Sequence, residues 1–158
     1  MGSLHTDPIY DKYNPQNYII HLLAARICFI AGDYQRSLDH VQHILNQADR
    51  IRQTLLTATY CLNLLNHYKL GNDLFLPYAV RNLYRNLIGL EELYPPERAL
   101  LTYIRKVAQN PVSDHEGFTI ELYEQFREMI KDDFHRPFFS LGDYMFWLES
   151  EIHSLKEK

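Results

Sequence analysis

His40 and His43 stand three residues apart with Asp39 beside them, a spacing at which two imidazoles on one helical face can share a metal ion. No third ligand stands at a defined spacing, so the pair reads as two solvated side chains and no metal is expected. Asp132, Asp133, His135 and Arg136 crowd one short polar stretch. That composition would serve a proton-transfer pair, and a loop following a helix end explains it equally well. Arg52, Thr59, Asn63 and Asn66 recur at spacings compatible with one helical face, with His67 adjacent. Side-chain amides on such a face can hold the backbone of an extended peptide by paired donor and acceptor contacts. A plain solvated face, or caps on neighbouring helix ends, would use the same residues. Arg81 and Arg85, with Tyr84 between them, carry guanidinium forks suited to a carboxylate or phosphate partner. Glu91, Glu92 and Glu97 follow closely enough to absorb them as ion pairs instead. Serine, cysteine and histidine show no nucleophile-elbow or protease-type context, and no glycine loop of the phosphate-binding type occurs. Neither a catalytic residue nor a cofactor is expected.

The elements that must position these groups are helices. Asn14-Pro15 is a helix-start signal, since Asn caps and Pro at the first helical position loses no useful donor. The helix that follows, to about Ala31, is apolar nearly all round (Ile19, Ile20, Leu22, Leu23, Ile27, Cys28, Phe29 and Ile30) and must be covered on more than one side. The arm of residues 1–13, a second copy of the chain, or an upstream segment would supply the cover. Gly32-Asp33 breaks that helix and caps the next, to about Gln47, with Leu38, Val41 and Leu45 as its stripe. Asp49 is the candidate cap for a helix to about Leu70, in which Ile51, Leu55, Ala58, Leu62 and Leu65 share a face. The turn Gly71-Asn72-Asp73 leads to a helix burying Leu76, Val80, Leu83 and Leu87.

Beyond the double proline Pro95-Pro96, Leu100, Leu101, Ile104 and Val107 give an inward face. After Asn110-Pro111, Ser113 and Glu116 have capping-box spacing for a helix with the stripe Ile120, Tyr123, Phe126 and Ile130. His135-Arg136-Pro137 breaks it. A last helix, packing through Tyr144, Trp147, Leu148 and Ile152 while Glu149 and Glu151 face water, reads as a solubilising cap. No strand-type alternation appears. The expected fold is all-α, with about seven helices in hairpins at about 14–47, 50–89 and 96–132 and a terminal helix at about 140–156.

Composition narrows the function classes. A chain of 158 residues is one domain, here 14–158 behind an arm or cloning remnant at 1–13. No apolar run reaches the roughly 18 residues of a membrane span, and the N-terminus lacks a basic-then-apolar signal pattern. Cys28 and Cys61 lie in apolar helical segments without CxxC spacing, which suits free thiols in a reducing, cytoplasmic setting. The net charge of −4 divides as 0 over residues 1–79, +2 over 80–110 and −6 over 111–158. An acidic final third argues against a nucleic-acid partner. Twelve tyrosines, among them Tyr60, Tyr68, Tyr84 and Tyr103, suit helix seams and interfaces.

The stretch AGDYQRSL (Ala31–Leu38) resembles the turn and second-helix start of a tetratricopeptide-like repeat, although the 39-residue step from Gly32 to Gly71 exceeds the standard unit of about 34. Together with LNLLNHYKLGN (Leu62–Asn72), YAVRNLYRNL (Tyr78–Leu87) and FWLESEI (Phe146–Ile152), it resembles the C-terminal helical segment of a group of uncharacterised bacterial tetratricopeptide-like proteins. The resemblance implies an α-solenoid of stacked hairpins and says almost nothing of function; the expected role is non-catalytic protein interaction or scaffolding. In such a solenoid the face of Arg52, Thr59, Asn63, Asn66 and His67 would line the groove, and Arg81 and Arg85, by their own chemistry, are a second candidate contact. The resemblance also implies that the chain forms the end of a longer array. A second copy or an upstream domain would then meet the helix at 15–31. The rival expectation is a small-molecule sensor or enzyme with a pocket around Tyr60, His67 and Arg85.

Overall fold

The computed structural model describes residues 15–47, 51, 53–87, 93–140 and 144–157, and every regular element among them is helical. Pro15 opens α1 (Pro15–Ile30). Gly32 ends it at φ +85°, a left-handed backbone that a side chain would strain. The Asp33 carboxylate then accepts the Arg36 N–H at 3.2 Å and starts α2 (Tyr34–Leu45). The pair α3 (Gln53–Lys69) and α4 (Leu76–Leu87) repeats this plan around Gly71, at φ +75°. Prolines in the first turn open α5 (Pro95–Gln109). A 3-10 turn at Val112–Asp114 leads into α6 (His115–Met129), followed by the short α7 (Arg136–Ser140) and α8 (Tyr144–Lys156). Among the described residues eight α-helices therefore stand where about seven were expected, because the residues after His135 form α7. The expected caps Asn14 and Asp49 lie outside the described residues.

The core runs through α3. Contacts from α1, α2, α4 and α5 surround it, and Thr57, Thr59, Cys61, Leu62, Leu64, Leu65 and Asn66 are all buried. The expected inward face of α5, Leu100, Leu101, Ile104 and Val107, is buried as well. On α6 the expectation needs correction. The buried line is His115, Thr119, Leu122 and Phe126, while Ile120, Tyr123 and Ile130 are half-buried. The cause is polar pairing that a hydrophobic pattern does not register. His115 Nε2 donates to the Asn110 carbonyl at 2.8 Å, which leaves Nδ1 to accept the Tyr68 hydroxyl at 3.0 Å. Thr119 Oγ donates to the His115 carbonyl at 2.6 Å. The expected Ser113–Glu116 capping box is replaced by the 3-10 turn, and Asp114 caps α6 without a side-chain bond.

The last helix is also more than a solubilising cap. It packs along α6 and returns to α1. The Trp147 ring lies 5.1 Å from Phe29 and 6.1 Å from Tyr103. Glu151, expected in water, is buried and accepts a hydrogen bond from Lys69 Nζ at 2.6 Å. This little-exposed contact ties α8 to α3.

Candidate functional site

The polar line on α3 faces protein. Thr59 is fully buried and its hydroxyl donates to the Leu55 carbonyl at 2.7 Å. Asn66, also fully buried, donates through Nδ2 to Ser37 Oγ at 2.8 Å, and Ser37 in turn donates to the Ala25 carbonyl at 2.7 Å. Asn63 is half-buried and its Oδ1 accepts from Gln42 Nε2 at 3.3 Å. The expected groove face is therefore corrected for Thr59 and Asn66. Asn66 spends its amide N–H on Ser37 of α2, while Thr59 turns its hydroxyl back onto its own helix. Arg52 lies outside the described residues. The His67 ring stands 4.6 Å from Phe75, and its Nδ1 accepts from Asn72 Nδ2 at 2.8 Å. Burial pushes its pKa below the ordinary value.

Arg81 and Arg85 are exposed on α4. Of the carboxylates expected to pair with them, Glu91 and Glu92 lie outside the described residues. Glu97 is buried near Arg26, and that burial pushes its carboxyl up against the opposing effects of a Tyr94 backbone hydrogen bond and the Arg26 charge. The neighbouring Tyr84 ring takes the Arg105 guanidinium at 5.0 Å. Tyr60 lines a cleft between α3 and α4 whose wall includes neither His67 nor Arg85. Asp132, Asp133, His135 and Arg136 form a helix-end loop, with Arg136 on Asp133 at 2.6 Å and the Phe134 N–H on Asp132 at 2.9 Å.

Two depressions open on the surface elsewhere. Tyr60, Asn63, Phe75, Tyr78 and Asn82 line an uncharged cleft of about 190 Å³ between α3 and α4. Leu74, Phe75 and Tyr78 stand exposed at its edge. A larger open groove of about 650 Å³ lies between α5 and α6. Its floor is Ala99, Tyr103, Phe118, Leu122 and Met129. Arg98 and Lys106 stand on the α5 wall, and Glu121, Glu124 and Glu128 on the α6 wall. Lys106 reaches across to Glu121 at 2.9 Å, between side chains that are one third and one half exposed. From Pro95 to Lys106 the groove follows roughly 16 Å of helix, about three turns.

Sequence reasoning named Asn63 and Tyr60 in the smaller cleft and missed the larger groove. The signal available was the charge shift from +2 over residues 80–110 to −6 over residues 111–158, which falls across this seam. Other chemistry is subdued. Burial pushes the Cys61 thiol up, which makes it a poor nucleophile. Among the described residues no three His, Cys, Asp or Glu side chains are placed to hold a metal ion, and no helix is long and apolar enough to cross a membrane. Comparison with protein-family models, curated proteins and solved structures gives no match, so the functional reading rests on the residues themselves.

Proposed function

We propose that this protein is a non-catalytic, cytoplasmic interaction module that seats a helix of a partner protein in the groove between α5 and α6. The observation that carries the reading is the groove's make-up: an apolar floor between a basic wall and an acidic wall, open along about three helical turns. That pattern complements an amphipathic helix whose apolar stripe is flanked by acidic residues on one side and basic residues on the other. Its openness and charged rim suit a polypeptide better than a small molecule, which is normally enclosed by a mostly apolar pocket. The cleft beside Phe75 and Tyr78 supports the same role, because exposed aromatics next to amides are typical of protein contacts. A tetratricopeptide-like stacking of the three hairpins belongs to this proposal, as does a second copy or upstream domain on the outward side of α1. On that side Ile19, Ile20, Leu23 and Ile27 are 37–68% exposed. Contiguous apolar surface of this kind marks interaction sites.

The test is capture of partner proteins from a bacterial lysate with wild type and with the double variant Glu124→Lys/Glu128→Lys. Both glutamates are exposed on the acidic wall. The expected result is a protein retained by wild type and lost by the variant at unchanged melting temperature. Equal retention by both would remove the groove from the account.

A further inference from the structure

His40 and His43 were expected to be solvated neighbours on α2, and the fold brings them a third imidazole from α1. His21 Nδ1 lies 3.0 Å from His40 Nδ1, so one nitrogen donates and the other accepts. The His21 ring also stands 4.1 Å from the His43 ring and 5.3 Å from the His40 ring. His21 and His40 are half-buried in the seam, while His43 is exposed. We propose that these three histidines form an acid-sensitive latch that holds α1 against α2.

The latch closes only with an acceptor available. One proton on the His21–His40 pair still leaves a nitrogen to accept; two protons put N–H groups on both sides of a 3.0 Å gap, and the rings must part. A charged His43, its ring tilted 36° against His21 at 4.1 Å, adds repulsion at close range. No carboxylate relieves it: the charges acting on His21 among the described residues are those of His43 and His40. On α2, Asp39 takes the Gln35 amide at 3.5 Å, and the nearby contact from α3 is the uncharged Gln42–Asn63 pair. Burial first, then the charges of His43 and His40, lower the His21 pKa. The unfolded chain, with an imidazole pKa of about 6.5, therefore takes up the proton first. The latch contributes its full stability above that pH and loses it as the pH falls through the lowered value of the folded state. On loosening, α2 releases α1, the helix that carries the outward apolar face.

Trp147, the only tryptophan in the sequence, rests on Phe29 of α1 and reports the docking of that helix. Thermal melts followed by its fluorescence at about pH 7.5 and about pH 5.5 compare wild type with His21→Gln. The expected wild-type Tm loss on acidification exceeds that of the variant by about 4 °C or more. Losses that agree within about 1 °C would overturn the latch. The His43→Gln variant, altered at an exposed position, supplies a second readout by nuclear magnetic resonance titration of His21. Removal of a neighbouring positive charge should raise the His21 midpoint, and an unchanged midpoint would contradict the cluster.

Discussion

The first and third hairpins have the same plan, two antiparallel helices around a short break, yet one is shut and the other gapes. At the middle of the α1–α2 seam the facing residues are small, with the His21–His40 pair toward one end and the Phe29–Tyr34 pair toward the other. Ala25 and Ser37 are fully buried, and the Ser37 hydroxyl ties both Ala25 and Asn66 into one chain of hydrogen bonds. Across the α5–α6 seam the facing residues are large: Tyr103 bonds Thr119 through its hydroxyl at 3.3 Å, and Phe118 and Leu122 fill the floor. Beside these rings a groove of about 650 Å³ remains open. The difference teaches that side-chain volume in the seam, more than helix polarity, decides which hairpin can receive a partner.

The severest way to break that comparison is to enlarge the closed seam. Ser37→Leu forces a branched side chain into a fully buried position and strands the Asn66 amide and the Ala25 carbonyl. A loss of about 4 kcal/mol is expected in urea unfolding. Next in size is Lys69→Met, which leaves the buried Glu151 carboxylate without its cation. About 3 kcal/mol should be lost, and Glu151→Gln in the same chain should restore part of it. Asn66→Ala should cost about 2 kcal/mol, because its partner Ser37 is buried, whereas Asn63→Ala, half-buried, should cost about 0.5 kcal/mol. Equal costs at the two positions would mean that the α3 polar line is a surface after all. At the open seam the effects shrink. Lys106→Ala removes an ion pair that is largely exposed, and a loss below about 1 kcal/mol is expected.

Much of the scaffold was legible in the residues. The breaks at Gly32 and Gly71 need left-handed backbone, Asp33 caps through its carboxylate, and the α5 face repeats at helical spacing. Each of these is a local property. The polar line on α3 was misplaced because a threonine or asparagine looks alike whether it meets water or a hydroxyl on the next helix. Only the arrival of Ser37 from α2 distinguishes them. Likewise His21 lies far from His40 in sequence, and nothing in either segment announces their pairing. The return of α8 to α1 depends on Trp147 meeting Phe29, a contact across most of the chain. The groove was invisible for a related reason: it opens between two helices whose facing register is known only once they are packed.

The most direct test of the binding account places a photo-crosslinking amino acid at Gln125, on the wall of the α5–α6 groove, and in a second protein at Arg127, exposed on α6 but outside the groove lining. Both are irradiated in a bacterial lysate, and adducts are identified by mass spectrometry. The account predicts a discrete protein adduct from Gln125 that is absent from Arg127 and is suppressed by Glu124→Lys/Glu128→Lys. Adducts that are identical from both positions, or none from Gln125, would contradict a partner seated in this groove.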